Sequence, residues 1–263
     1  MDLEDLLRHF IEASISGASK TQVIRKFQET YNLNNNQLKK LENLAKFKKK
    51  PKINYKEFYK NSITKKTQRI YFPFTQIYKQ ENFLSKEECE KLVSMISNSL
   101  RPSTVADKGD TGLINNYRTS KTADLSYFTD PFYLSIDKKI ANLMNLKPFF
   151  GETMQAQKYE VGQYYKEHYD FFSPLNHEYK TYCEWMGQRT WTTMIYLNDV
   201  EEGGETYFKY LNLKIKPKKG LLIGWNNLYN NGFPNYKTKH EALPPLKGSK
   251  YIITKWWRSW SLI

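Results

Sequence analysis

Gln155-Ala-Gln-Lys-Tyr-Glu-Val-Gly-Gln-Tyr-Tyr-Lys-Glu-His-Tyr-Asp170, taken with His240 and Lys250 further on, decides how this chain reads. The run ends in His168-Tyr169-Asp170, and His240 follows Asp170 by 70 residues. On a β-strand, residues i and i+2 share a face, so His168 and Asp170 can reach one metal ion. A third ligand then has to come from a separate strand, and a long gap supplies one. Two imidazoles and a carboxylate are the facial ligand set that binds non-haem Fe(II) and leaves positions open. Zn is the alternative metal, with fewer positions to spare. An H-x-D triplet alone is more often a polar surface feature than a metal site. Of the four histidines, His9 falls on a helical stretch with no ligand partner near it, and His177 in a polar loop.

The text around the triplet is strand-like. Ala156–Gly162, Tyr164–His168, Thr190–Leu197, Glu205–Phe208, Leu213–Ile215, Gly220–Trp225 and Tyr251–Trp257 read as strands. Ile70, Phe72 and Phe74 alternate ahead of them. Ser85 is placed to cap a helix over Glu87–Ser99. Asp130 and Pro131 suit the cap and first position of a second helix reaching Leu146. Strand after strand behind two supporting helices suits an α+β, mainly β fold with a double-stranded β-helix (jelly-roll) core. Gly203-Gly204 reads as a turn, with the acids before it solvated.

The opening run resembles the first iron motif of the prolyl 4-hydroxylase family. Arg189-Thr-Trp-Thr-Thr-Met-Ile-Tyr-Leu-Asn-Asp-Val-Glu-Glu-Gly-Gly-Glu-Thr206 is similar to that family's central strand pair. His240-Glu-Ala-Leu-Pro-Pro-Leu-Lys-Gly-Ser-Lys250, followed by Thr254-Lys-Trp256, resembles its closing motif. Asn82-Phe-Leu-Ser-Lys-Glu-Glu-Cys89 and Arg118-Thr-Ser120 match upstream, so the likeness covers about residues 68 to 260. It implies a jelly-roll 2-oxoglutarate/Fe(II) dioxygenase with His168, Asp170 and His240 as metal ligands. Lys250 is then the cation for the far carboxylate of 2-oxoglutarate, with Tyr159 and Thr206 hydrogen-bonding the same group. Tyr165, Arg189 and Trp256 would line a peptide groove, and Arg118 and Ser120 belong to a segment that closes over substrate in relatives. The implied reaction hydroxylates peptidyl proline at C4, using O2 and releasing succinate and CO2, with ascorbate as reductant. A soluble microbial or viral member is the nearest type. The chain departs from the family in Trp225 to Lys239, which is rich in Asn and Tyr and lacks the acid often found there.

Residues 1–50 read as a small helical module. Leu3, Leu6, Leu7, Phe10 and Ile11 share one helical face; Val23, Ile24, Phe27 and Tyr31 a second; Leu38, Leu41, Leu44 and Ala45 a third. Residues 51–66 read as a linker and 67–263 as the catalytic domain. Residues 103–117 form a polar loop suited to act as a lid over substrate.

Net charge is +14, from 34 Lys and 7 Arg against 27 acids. Residues 1–70 hold 16 basic and 7 acidic residues, a net of +9. Nucleic acid is therefore a candidate partner for the N-terminal helices, against a small docking bundle with a solvated basic face. Two cysteines, Cys89 and Cys183, make no disulfide framework. The acidic start Met1-Asp-Leu-Glu-Asp is unlike a secretory leader, and no run approaches the ~20 apolar residues of a membrane span. A cytoplasmic enzyme with no membrane partner is the expectation.

Overall fold

The structure, a computed structural model, describes residues 20–44, 53–63, 67–104, 117–126, 129–173 and 177–260. Its helices are α1 (Lys20–Tyr31), α2 (Asn35–Leu44), α3 (Tyr55–Asn61), α4 (Lys86–Ser97), α5 (Pro131–Met144) and α6 (His177–Met186). The first seven strands are β1 (Gln68–Tyr71), β2 (Gln76–Gln80), β3 (Arg101–Pro102), β4 (Lys121–Leu125), β5 (Met154–Tyr159), β6 (Tyr165–His168) and β7 (Arg189–Tyr196). The remaining seven are β8 (Glu202–Gly203), β9 (Thr206–Phe208), β10 (Leu213–Ile215), β11 (Leu222–Asn226), β12 (His240–Ala242), β13 (Pro245–Lys247) and β14 (Lys250–Arg258).

An antiparallel sheet of eight strands, ordered β1-β2-β11-β7-β14-β5-β4-β3, is joined by a four-stranded sheet, β10-β9-β12-β6. Strand alternation gives the larger sheet two distinct faces. Along β7, Trp191 and Ile195 pack with the helices, in one cluster with Leu92 and Ile96 of α4 and Ile136 and Ile140 of α5. The intervening Met194 and Tyr196 point the other way, to a second cluster with Phe208 and Ile215 of the smaller sheet. On β14, Ile253 and Trp257 join the helices, while Ile252 joins the space between the sheets. The jelly-roll expectation is met: two antiparallel sheets enclose a core, and the helices cover the outer face of the larger one.

Local chemistry sets the element ends. Ser85 accepts from Glu88 N while the Glu88 carboxylate accepts from Ser85 N, so both partners of a capping box start α4. Asp130 caps α5 through Phe132 N, with Pro131 just inside it, and Asn145 ends it in the left-handed region. Gly203 is confined by a φ of 73° and by Pro244 O, which a Cβ there would meet at 2.5 Å. In the N-terminal module Asn34 and Gln37 exchange two hydrogen bonds at the start of α2, and Val23, Phe27 and Leu38 are buried. The first expected helix and His9 lie outside the described residues.

Three stretches differ from the sequence reading. Residues 51–66, read as a linker, contain α3, which docks on the core: the Tyr59 hydroxyl donates to Thr190 O at 2.9 Å, and its ring meets Trp191 edge-on at 5.2 Å. Phe74 does not continue a strand; it sits in the turn between β1 and β2 with φ 62° and is exposed. His177 opens a helix, α6, rather than lying in a loop.

One ion pair locks α5 to the sheet. Lys255 Nζ lies 2.5 Å from Asp137 Oδ1, both side chains fully buried, and also donates to Glu152 O at 3.1 Å. Neither Asp137 oxygen has another hydrogen-bond partner among the described residues. Asp137→Ala leaves a buried ammonium without its counter-charge, so it is expected to cost about 3–5 kcal/mol in urea unfolding. A loss below about 1 kcal/mol, the scale of a surface pair, would mean that the interior is wetter than this packing implies.

Candidate active site

The two histidines meet because their strands pair. β12 runs antiparallel to β6 with His240 opposite His168, and Asp170 follows two residues after His168. One donor atom from each of His168, Asp170 and His240 lies within 4.8 Å of the other two. His168 Nε2 is 3.8 Å from Asp170 Oδ1, and His240 Nε2 is 3.8 Å from Asp170 Oδ2. Each imidazole is turned by its other nitrogen. His168 Nδ1 donates to Lys166 O at 2.8 Å, and His240 Nδ1 to Thr238 O at 2.9 Å. A carbonyl cannot donate, so Nδ1 carries the proton and Nε2 keeps its lone pair for a metal. Burial, with the charge of His240 second, pushes the His168 imidazole down to about 3, which favours the neutral, ligating form. Burial alone would raise the Asp170 carboxyl; His240, His168 and Arg189 outweigh it and hold it below the usual range.

These atoms pass the test for Fe(II). Two imidazole Nε2 atoms and one carboxylate oxygen lie together, and this set suits a divalent first-row metal with coordination positions left open. The open side is a cavity of 250 Å³ that all three line. Thr192 Oγ1 donates to Asp170 Oδ2 at 2.6 Å.

Tyr159 and Thr206 also line this cavity, and Lys250 stands behind them. β5 pairs with β14 so that Tyr159 lies opposite Lys250, and the ammonium sits 4.4 Å from the Tyr159 ring centroid. Lys250 is fully buried, donates to Gly204 O at 2.9 Å, and is in ion-pair contact with no carboxylate among the described residues. Burial lowers its pKa to about 7, against the weaker pull of Glu205. The Tyr196 hydroxyl donates to Thr206 Oγ1 at 2.7 Å. A buried lysine among hydroxyls, with no carboxylate paired to it among the described residues, is a ready counter-ion for a carboxylate from outside.

Tyr165, Arg189, Trp256 and Arg118 line the same cavity. Tyr165 stacks on the His168 ring at 3.6 Å, and the Arg118 guanidinium lies 4.9 Å from the Tyr165 centroid. Arg118 is buried and hydrogen-bonded to Ser120, Thr122 and Gln155, with no carboxylate in ion-pair contact among the described residues. Ser120 is buried behind it and shares a hydrogen bond with Ser103. Residues 105–116, most of the expected lid, lie outside the described residues.

Arg189 is engaged by the protein itself. Its fork grips Glu152 at 2.7 and 2.8 Å, its third nitrogen donates to Asp170 O at 3.3 Å, and it lies between Phe172 and Trp256. Glu152 is buried; burial would raise its pKa, but the charges of Arg189 and Arg258 hold it down. Sequence reasoning missed Glu152, Thr192 and Tyr196. It also passed over Gln155 and Gln157, which line the cavity, although their spacing with Tyr159 carries the period-2 signal of one strand face.

Residues 154–258 match the family model described as the 2OG-Fe(II) oxygenase superfamily. Prolyl 4-hydroxylase 13 of Arabidopsis thaliana is 32% identical over 204 residues, covering 70% of this chain and 71% of that protein. Prolyl 4-hydroxylase subunit alpha-3 of Rattus norvegicus is 35% identical over 187 residues, covering 70% of this chain. The chain spans about a third of the length of the animal alpha subunits it matches, 33% for the rat one. Among solved structures, the viral collagen prolyl hydroxylase of Paramecium bursaria chlorella virus 1, in its 2OG complex, aligns with a TM-score of 0.54 and 31% identity, covering 69% of this chain and 95% of that one. Sequence, fold and the geometry of the histidines agree: the chain belongs to the prolyl 4-hydroxylase family of 2OG-Fe(II) oxygenases.

Proposed function

We infer that this chain is an enzyme that hydroxylates peptidyl proline at C4, using O2 and 2-oxoglutarate and releasing succinate and CO2. The meeting of His168, Asp170 and His240 in one cavity, with Lys250 buried beside it, carries the reading. His168, Asp170 and His240 hold Fe(II). Held there, Fe(II) would supply the activation of O2 by which one oxygen atom reaches the substrate and the other succinate. Lys250 takes the far carboxylate of 2-oxoglutarate, and Tyr159 and Thr206 add hydrogen bonds to it. Buried walls such as Met194, Trp225 and Ile252 exclude water from the reaction.

On the substrate side, Tyr165 and Trp256 offer flat faces to a proline ring, and Arg118, with Ser120 behind it, offers donors to bare peptide carbonyls. Extended proline-rich segments present both features. Arg189, held by Glu152, stiffens the wall between Trp256 and Asp170 and contacts peptide from there. We assign catalysis to residues 67–263, with 1–50 as an attached helical module and 51–66 joining them. Ascorbate serves as reductant. Cys89 and Cys183 are both buried and carry no disulfide among the described residues, which suits a reducing compartment such as the cytoplasm. Among the described residues no helix is long and apolar enough to cross a membrane.

The test is coupling. With Fe(II), 2-oxoglutarate and ascorbate present, a proline-containing peptide should raise succinate release at least tenfold over the no-peptide rate. Succinate release that ignores every such peptide but responds to another residue or a small molecule would keep the oxygenase and reject proline.

A further inference from the structure

The stretch from Trp225 to Lys239 is where the sequence departs from its family, and it approaches the metal site from behind. Asn227 is fully buried just past the end of β11. Its backbone is pinned on both sides: Asn227 N donates to Thr190 O at 2.7 Å, and Asn235 N donates to Asn227 O at 2.9 Å. Its amide Nδ2 donates to Thr192 Oγ1 at 2.9 Å, and Thr192 Oγ1 donates to Asp170 Oδ2 at 2.6 Å. Asn227 Oδ1 is buried with no hydrogen-bond partner among the described residues.

That orphaned oxygen is informative. A threonine hydroxyl has one proton and two lone pairs. With Nδ2 turned toward Thr192, the amide fills a lone pair and leaves the Thr192 proton to point at Asp170. With the amide reversed, Oδ1 and the Asp170 carboxylate would compete for that one proton. A buried carboxylate short of its donor costs more than a neutral amide oxygen left alone, so the observed orientation prevails. We propose that Asn227 is a positioning residue for the metal site: it fixes the Thr192 hydroxyl as a permanent donor to Asp170, and so holds the carboxylate aligned before metal arrives. This rests on the assignment of Asp170 as a metal ligand.

A carboxylate at 227 offers no proton, so Asn227→Asp takes the Thr192 proton for itself and turns a lone pair toward Asp170. Outer partners of metal ligands typically contribute 10–100-fold in affinity. The experiment titrates the metal-free full chain with Co(II) and follows its visible ligand-field absorption. Asn227→Asp should weaken Co(II) binding about 10–100-fold. The same substitution in a Thr192→Val chain, which has no hydroxyl to turn, should change it less than about threefold. Thr192→Ser should keep the wild-type affinity, and Thr192→Val should lose it. If Asn227→Asp does not fold by circular dichroism, Asn227→Ala replaces it, with a several-fold weakening expected only in the Thr192 background. Equal losses in both backgrounds, or no loss, would overturn the relay while leaving the metal site standing. No Co(II) binding by the unmodified chain would overturn the metal assignment and the relay together.

Discussion

His168→Ala is expected to strip the protein of iron and to lower proline hydroxylation to the level of the blank. On the proposed assignment the imidazole is one of three protein donors among the described residues, and the other two cannot compensate by moving. Asp170 is held by Thr192 through its side chain and by Arg189 through its carbonyl. His240 is held by Thr238 O. Losing an outer partner of a metal ligand already costs about 10–100-fold, so losing a ligand should exceed that in affinity, and turnover should fall roughly a thousandfold or more. Metal content by plasma emission and hydroxylation by mass spectrometry read the two losses separately. A variant that keeps both iron and turnover would remove His168 from the ligand set.

Lys250→Ala is expected to keep iron and lose the cosubstrate. The lysine is buried and pairs with no carboxylate among the described residues, which supports its proposed role as partner to the far carboxylate of 2-oxoglutarate. Removing one partner of a buried charge pair costs about 2–5 kcal/mol, which is a rise of roughly 30- to several-thousand-fold in the KM for 2-oxoglutarate. A pH dependence follows with a definite sign. Burial holds the lysine near 7, and only its charged form pairs with a carboxylate. Above pH 7 the free protein must therefore take up a proton to bind, and affinity should fall by up to about tenfold per pH unit. Calorimetry on the Co(II)-loaded protein in two buffers of different ionisation heat detects that uptake at pH 8. An unchanged KM in Lys250→Ala would end this role for the residue. Binding at pH 8 with no proton taken up would show that the lysine is already charged in the free protein.

The proposed metal ligands were legible because His168 and Asp170 are two apart at the end of a strand-like run, although the strand stops at His168 and Asp170 lies just past it. Tyr159 and Lys250 became visible only through the family likeness; the structure puts them opposite each other across a strand pair 91 residues apart in sequence. Hydrogen-bond partners across such gaps leave no local pattern, which is why Glu152 beneath Arg189 and Asn227 behind Thr192 went unread. The short helix Tyr55–Asn61 escaped for a different reason. Two turns are too few to establish a 3.6-residue period, and its burial rests mainly on Tyr59, whose hydroxyl donates to Thr190 O and accepts from Leu228 N and whose ring meets Trp191. Phe74 misled because alternation in Ile70, Phe72 and Phe74 mimics a strand, while the chain turns there with a left-handed residue. Arg189 lines the cavity, but its grip on Glu152 gives it a structural duty that its position in a motif does not disclose.

The most direct measurement is mass spectrometry of proline-containing peptides after incubation with the full chain, Fe(II), 2-oxoglutarate and ascorbate, with His168→Ala alongside. The expected result is a gain of one oxygen on a prolyl residue, identified as 4-hydroxyproline after hydrolysis, present with the unmodified chain and absent with His168→Ala. No gain on any peptide, together with no conversion of 2-oxoglutarate to succinate, would contradict the assignment of this site as a working prolyl 4-hydroxylase.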